Sequence, residues 1–132
     1  TDWTRPMPTT ANQRTVLVID DDPQVQGLLR QFIEMNGCRA LVAAGTEGGL
    51  ALARGQQVDV VLLDIVLPDE NGMVALQRIR ACLPAVPVIM ITGFDDLARA
   101  RACLAAGARD YLTKPFDFEY LRTSMLANML GV

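Results

Sequence analysis

Aspartates follow two apolar runs of this sequence. Asp20 and Asp21 come directly after residues 15–19, and Asp64 follows residues 58–63, which are apolar but for one residue. Runs of this kind are typical of strands that are buried on both faces in a parallel sheet. In open α/β sheets, ligands bind at the edge where the strands end. An isolated aspartate at such a place more often caps a turn, so the prediction of a site depends on the groups that accompany it.

Two further polar side chains end apolar runs later in the chain. Thr92 follows residues 88–91, and Lys114, the only lysine, comes shortly after residues 110–112. Right-handed crossover connections place the carboxyl ends of parallel strands at one edge of the sheet. The sequence therefore predicts that the aspartates, the threonine and the lysine converge, although they are far apart in the chain.

The predicted cluster combines repelling carboxylates with a hydroxyl and an ammonium. Carboxylates buried together without a counter-charge cost free energy. Mg²⁺ removes the repulsion and fits such a site because it takes few protein ligands and keeps several waters. A carboxylate nucleophile, a hydroxyl and an ammonium beside this cation are the groups that phosphoryl transfer uses. The compact ammonium of Lys114 suits a phosphoryl group better than a guanidinium, although by itself it would be interpreted as a surface lysine.

The elements that position these groups alternate between strands and helices. Asp22 and Pro23 form a cap and first-turn pair that opens a helix, which Asn36 and Gly37 end. Five strand–helix repeats predict an α/β fold with a doubly wound parallel sheet. The predicted strands are 15–19, 39–43, 58–64, 88–91 and 110–112. The predicted helices run from Pro23, from Thr46 to near Gly55, from Met73 to Leu83, from an Asp95 cap to Ala106, and from an Asp117 cap onwards.

Apolar residues recur at helical spacing in these helices and are predicted to face the core. They are Val25, Leu28, Leu29, Phe32 and Ile33 in the first helix, Leu50 and Leu52 in the second, Val74, Ile79 and Leu83 in the third, and Leu121, Met125 and Met129 in the last.

Composition restricts the class of protein. The chain of 132 residues, 51% hydrophobic and 20% charged, is long enough for one core and too apolar for a disordered protein. No apolar run approaches the ~20 residues that span a bilayer, and a net charge of −3 argues against nucleic acid as a direct partner. The absence of histidine excludes a histidine base and a His-ligated metal. We expect Cys38, Cys82 and Cys103 to be buried free thiols in a reducing compartment.

From Thr15 to Leu130 the sequence resembles the receiver domain of two-component response regulators. The resemblance is carried by Val-Leu-Val-Ile-Asp20-Asp21-Asp22-Pro23, by Asp64 in Leu-Leu-Asp-Ile-Val-Leu-Pro-Asp-Glu-Asn-Gly, by Ile-Thr92-Gly, and by Gly-Ala-Arg-Asp-Tyr111-Leu-Thr-Lys114-Pro115-Phe. Each fragment is moderately specific, but all four in this order, each at a strand end, are highly specific together. The family implies a flavodoxin-like (βα)5 fold with strand order 2-1-3-4-5 and a cytoplasmic location.

The resemblance implies a role for each matching position. Asp64 would accept a phosphoryl group from the phosphohistidine of a sensor histidine kinase or phosphotransfer protein. Asp21, Asp64 and the backbone carbonyl of Val66 would ligate Mg²⁺, which Mn²⁺ could replace, while Asp20 would act through a metal-bound water. Lys114 would hold phosphoryl oxygens together with Thr92.

The family also implies a conformational switch. Thr92 would move inward on phosphorylation and Tyr111 would follow it from exposed to buried, while a cis peptide bond before Pro115 would aim the lysine. The surface formed by the fourth helix, fifth strand and last helix would contact a second copy or an effector. In this sequence it includes Arg99, Arg101, Arg109, Tyr111 and Arg122.

Two positions that tune the chemistry in this family are apolar here, Val66 and Phe94. Neither side chain can orient an attacking water, so we expect the acyl phosphate on Asp64 to hydrolyse slowly for a receiver.

The domain boundaries and the wider context are also expectations. Residues 1–14 are polar and contain two prolines, so we expect a disordered leader or linker before a receiver domain at 15–132. Two interpretations stay open: a single-domain regulator that acts by protein contact, or a piece of a longer transcription factor or hybrid kinase.

Three competing functions share features with this sequence. A flavodoxin-type nucleotide binder would want a Ser/Thr/Gly-rich phosphate loop where this chain has three aspartates. An aspartate-nucleophile phosphatase or mutase needs a second aspartate at the position of Val66. A receiver-like docking module that is never phosphorylated is the more serious alternative.

Overall fold

The computed structural model describes residues 13–93 and 96–130. Strands and helices alternate throughout this part of the chain, as the sequence predicts. The strands are β1 (Thr15–Ile19), β2 (Arg39–Ala43), β3 (Val60–Asp64), β4 (Val88–Thr92) and β5 (Asp110–Thr113). The helices are α1 (Pro23–Met35), α2 (Thr46–Gly55), α3 (Gly72–Cys82), α4 (Leu97–Ala105) and α5 (Phe118–Leu130). Among the residues described, no helix has the length and apolar character to span a bilayer.

The five strands form one parallel sheet in the order β2-β1-β3-β4-β5, which confirms the predicted fold class. Alternate residues of each central strand point to opposite faces of the sheet. Leu17, Ile19 and Leu63 pack into a core with α2, α3 and α4, whereas Val18 and Leu62 pack into a second core with α1 and α5. Helices on both faces bury β1, β3 and β4 completely, and this burial explains their uninterrupted apolar sequences.

Capping residues set the ends of α1 and α5 where the sequence predicts them. The Asp22 carboxylate accepts a hydrogen bond from Gln24 N at 2.9 Å, with Pro23 in the first turn. Gly37 follows the last turn of α1 with a φ of 78°, a conformation that favours glycine. Asp117 Oδ1 accepts from Tyr120 N at 3.1 Å at the start of α5.

Two predicted core residues, Val74 and Leu28, lie on the surface instead, and a third, Leu83, is packed only partly against the core. Val74 is 41% exposed because α3 begins at Gly72 and buries the stripe Gly72, Ala75, Leu76 and Ile79, to which Val74 does not belong. Leu83 follows the helix and is only partly buried. Leu28 is 46% exposed for a similar reason, since Leu29 and Ile33 form the buried stripe of α1.

The start of α4 also differs from the prediction. The helix begins at Leu97 after Asp96, whose side chain makes no capping hydrogen bond, and Asp95 lies outside the described residues. The prediction for the cysteines is correct for Cys38 and Cys103, which are buried free thiols. For Cys82 only the predicted burial is wrong, since this free thiol is partly exposed at the end of α3.

Candidate functional site

The carboxyl ends of four neighbouring strands carry the polar groups of the candidate site. Asp20 directly follows β1, while Asp64 and Thr92 are the last residues of β3 and β4. Lys114 directly follows β5, and its backbone N–H donates to the carbonyl of Thr92 at 2.9 Å. The strand order brings these ends side by side, so the sheet gathers residues that lie more than 90 positions apart in the sequence.

Three carboxylates and one ammonium meet at this edge. Asp20, Asp21 and Asp64 each present a carboxylate oxygen, and these oxygens lie within 4.8 Å of one another. The Lys114 ammonium nitrogen lies 3.1 Å from Asp20 Oδ2 and 3.2 Å from Asp64 Oδ2. Asp20 is fully buried and Asp64 is 6% exposed, whereas Asp21 is exposed to solvent. One cationic side chain therefore faces three anionic ones.

The carboxyl of Asp64 is hard to ionise in this pocket. Burial, with a further contribution from the charge of Asp20, raises the pKa of Asp64 to about 6. The N–H of Val66, which donates to Asp64 Oδ1 at 3.1 Å, and the ammonium of Lys114 act in the opposite direction. Burial lowers the pKa of Lys114, but its contacts with the carboxylates of Asp20 and Asp64 outweigh burial and raise it. The lysine is therefore charged at neutral pH.

The donor set fits a hard divalent cation. Asp20 Oδ1 accepts a hydrogen bond from Asp22 N at 2.9 Å. Its other oxygen, Oδ2, is fully buried and accepts no hydrogen bond from the residues described, although Lys114 approaches it as an ion pair. An oxygen left in this state suits a metal-bound water. Carboxylate oxygens from Asp20, Asp21 and Asp64, with water in the remaining positions, are the ligands that Mg²⁺ prefers.

Four of the remaining predicted residues belong to the part of the chain that the structure describes. Thr92 is fully buried, and its hydroxyl donates to the carbonyl of Gly93 at 3.0 Å. Tyr111 is partly buried against the core that contains α2, α3 and α4. The peptide bond between Lys114 and Pro115 is cis.

The two predicted tuning positions differ in what the structure describes. The side chain of Val66 is 55% exposed, next to Asp64, and Phe94 lies outside the described residues.

The sequence argument missed the polar residues that hold the loop after Asp64. In this loop, residues 65–71, the Asp69 carboxylate accepts from two backbone N–H groups of α2, and Glu70 pairs with Arg78 of α3. Asp69 and its partners lie 22 and 23 positions apart in the sequence, so no local pattern indicates the pairing. The one local signal is Gly45, which occupies the capping position before Thr46. Glycine has no side chain that could cap the helix, so its presence indicates that the cap comes from elsewhere in the chain.

Comparison with known proteins identifies the class to which this fold and site belong. The sequence profile described as "Response regulator receiver domain" matches residues 16–126. The chain belongs to this family.

Individual relatives support the same assignment. The chain is 39% identical over 113 residues to the probable C4-dicarboxylate response regulator DctR of Priestia megaterium, covering 84% of this chain and 50% of that protein. It is also 39% identical over 118 residues to the protein PilH of Pseudomonas aeruginosa, covering 88% of this chain and 98% of PilH. It thus spans about half the length of DctR and nearly all of PilH.

Solved structures share the fold. A response regulator receiver domain protein (CheY-like) from Methanospirillum hungatei JF-1 matches with a TM-score of 0.84 and 28% identity, covering 91% of this chain and 96% of the other. A receiver domain protein from Clostridium thermocellum matches with a TM-score of 0.83 and 29% identity, covering 89% and 95% of the two chains.

Proposed function

We propose that Asp64 is a phosphoacceptor that takes a phosphoryl group from the phosphohistidine of a sensor histidine kinase or phosphotransfer protein. The observation that carries this proposal is the position of the Lys114 ammonium, 3.2 Å from Asp64 Oδ2, in a pocket where three carboxylates converge. A carboxylate nucleophile, a fixed cation and a set of oxygen ligands for a divalent metal are the parts that phosphoryl transfer needs.

The transfer step follows from these groups. An oxygen of ionised Asp64 attacks phosphorus, the O–P bond forms, and the N–P bond of the phosphohistidine breaks with its electron pair returning to the imidazole. Lys114 holds a phosphoryl oxygen, and the hydroxyl of Thr92 donates to another after it leaves the Gly93 carbonyl. Asp20, Asp21, Asp64 and the Val66 carbonyl would hold Mg²⁺ or Mn²⁺, and the ion would neutralise the phosphoryl charge. With a pKa of about 6, Asp64 is mostly ionised at pH 7.5.

The phosphoryl group would then act as a switch. It carries up to two negative charges, replaces the single charge of the carboxylate, and brings strong hydrogen-bond acceptors beside Thr92 and Lys114. Thr92 and Tyr111 lie on neighbouring strands, β4 and β5, so a movement of the first residue can be followed by the second. The surface of α4, β5 and α5 would transmit the change to an output domain or to a partner. Exposed arginines on this surface, Arg99, Arg101, Arg109 and Arg122, are available for that contact.

Acetyl phosphate tests the chemistry without knowledge of the kinase. The full chain is incubated with acetyl phosphate and Mg²⁺ and then separated on a phosphate-affinity gel. We expect a shifted band that disappears with EDTA and in the Asp64→Asn variant. An unshifted wild-type band would contradict phosphorylation and favour a domain that signals by docking alone.

A further inference from the structure

Helix α2 has no capping side chain of its own. It begins at Thr46 after Gly45, and the first N–H groups of a helix need acceptors from outside the helix. The carboxylate of Asp69, in the loop after Asp64, supplies them: Oδ1 accepts from Thr46 N and Oδ2 from Glu47 N, both at 3.2 Å. Partial desolvation raises the pKa of Asp69, but these backbone hydrogen bonds outweigh it and lower the pKa. Asp69 is thus an ionised cap for a helix that is distant in sequence.

Gly45 is required for this contact because of space, not because of its backbone angles. Its φ of −159° is available to any residue. A Cβ atom at this position would lie 2.9 Å from Asp69 Oδ1 and 3.0 Å from Cγ. The glycine therefore opens the place that the carboxylate occupies.

A second set of hydrogen bonds holds Glu70, the residue after Asp69 in the same loop. Nη1 of Arg78, on α3, donates to both carboxylate oxygens of Glu70 at 2.9 and 3.1 Å. Its Nη2 donates to Glu47 Oε1, on α2, at 2.6 Å. Arg78 thereby joins α2, α3 and the loop, and it supports the position of Asp69 from the other side.

The loop held in this way is the one that contributes to the candidate metal site. Its first residues contact the site, since Val66 N donates to Asp64 Oδ1. Its ends are fixed by backbone pairing, with Gly72 N donating to Ile65 O at 2.8 Å and a bridge between Val66 and Asn71. Between those ends the side chains of Asp69 and Glu70 tie the loop to the rest of the fold.

We propose that Asp69 is a positioning residue for the Mg²⁺ site: by capping α2, it fixes the loop that carries Val66, whose carbonyl would ligate the ion together with Asp21 and Asp64. This inference rests on the proposed function, because it assumes that the three aspartates bind Mg²⁺. Residues that orient metal ligands affect affinity without touching the ion.

Metal binding by the full chain, without any phosphodonor, tests the proposal. Isothermal titration with Mg²⁺ gives the Kd of the wild type and of Asp69→Ala, Asp69→Asn and Asp117→Ala. We expect Asp69→Ala to raise the Kd by about 10-fold. Asp117→Ala is the matched control because it removes an aspartate cap, and one negative charge, from α5 instead of α2. Asp117→Ala should leave the Kd within about 2-fold of the wild-type value. It should lower the thermal midpoint about as much as Asp69→Ala does, because each variant loses one helix cap.

Asp69→Asn separates the capping role from the loss of charge. Asparagine keeps one acceptor oxygen for the two N–H groups and lacks the charge, so this variant should raise the Kd clearly less than Asp69→Ala does. Hydrogen exchange without Mg²⁺ should show faster exchange of residues 65–71 in Asp69→Ala only. The positioning role would be wrong if Asp69→Ala bound Mg²⁺ as tightly as the wild type, or if Asp69→Asn raised the Kd as much as Asp69→Ala does. Either result would leave the proposed function intact. A wild type that binds no Mg²⁺ would overturn the proposed function as well.

Discussion

Asp64 is 6% exposed and shares its pocket with two other aspartates and one lysine. Burial raises its pKa to about 6, which means that the folded protein holds the ionised carboxylate at a cost in stability. In the function that we propose, the same carboxylate must be free to attack phosphorus, so the site would gain reactivity at the expense of stability.

This cost predicts that Asp64→Asn stabilises the metal-free protein. The folded-state pKa lies above the unfolded value of about 4, so wild-type stability falls as pH rises from about 4 to about 6. Asparagine does not titrate and avoids this loss. We expect urea unfolding in EDTA to show a gain of about 1–3 kcal/mol at pH 7.5 that nearly disappears at pH 4. A variant less stable than the wild type at pH 7.5 would contradict this account of Asp64.

The position two residues after Asp64 gives a kinetic prediction. Val66 has an exposed side chain that cannot hydrogen-bond to water, so hydrolysis of the acyl phosphate should be slow. We expect Val66→Asn to speed loss of the phosphoryl group about 10-fold, because an amide can orient the attacking water. Phe94→Glu, at a position outside the described residues, should act in the same direction. Decay of the phosphorylated band after removal of acetyl phosphate measures the rate, and unchanged decay in both variants would refute the idea.

At the scale of elements, α5 is fastened to β5 by a polar cluster around one carboxylate. Asp110 Oδ2 accepts from the Tyr120 hydroxyl at 2.7 Å and from Ser124 Oγ at 2.6 Å. The hydrogen bond to Asp110 is the main reason that the pKa of Tyr120 rises to about 12. The cluster positions the helix at the surface that we propose for signalling.

Absorbance at 295 nm, which reports ionised tyrosine, tests this cluster. A raised tyrosine pKa means that the stabilising contact is complete below about pH 10 and is lost as pH rises through about 12. One tyrosine of the folded protein should therefore titrate near 12, and that step should be absent in Tyr120→Phe. Asp110→Asn should move the step toward 10. A wild-type protein with no tyrosine step near 12 would contradict the contact.

The start of α3 depends on a close approach of two backbone segments. A Cβ at Gly72 would lie 2.6 Å from Cα and O of Ile65, and backbone atoms there cannot move aside cheaply. We expect Gly72→Ala to destabilise the protein by about 3 kcal/mol or more in urea unfolding. Gly27→Ala is the control: it lies within α1 with no atom within 4 Å of the added methyl, and it should stabilise by about 0.5–1 kcal/mol. Equal effects of the two variants would contradict this prediction.

The elements could be predicted from the sequence where one local signal decided them. The run 15–19 matches β1 because burial on both faces of the sheet favours apolar residues. The run 39–43 matches β2 although this edge strand is only partly buried. Val74 and Leu28 were placed wrongly because each is adjacent to a buried stripe, and hydrophobicity alone does not identify the face that the sheet covers. The Asp69 cap could not be predicted at all, since a capping partner from a distant loop leaves no periodic signal.

At the scale of the whole molecule, the candidate site joins both halves of the core. Its residues come from the ends of β1, β3 and β4 and from the segment after β5. The cores on the two faces of the sheet both pack against β1, β3 and β4. A ligand that binds these ends together therefore binds only the fully folded chain, and its binding free energy adds to the stability of the whole domain.

This linkage gives a prediction for Mg²⁺. Once its concentration exceeds the Kd, each ten-fold increase should raise the free energy of unfolding by about 1.4 kcal/mol. Asp21→Ala should abolish the dependence with little effect on the metal-free protein, because Asp21 is exposed. Asp22→Ala should lower stability by about 1 kcal/mol through the lost cap of α1 and keep the dependence. The two exposed aspartates are adjacent and carry the same charge, so urea unfolding at several Mg²⁺ concentrations separates metal binding from electrostatics. If the free energy of unfolding of the wild type did not change with Mg²⁺ concentration, the carboxylates would not form the metal site. The same conclusion would follow if Asp21→Ala and Asp22→Ala lost this dependence equally.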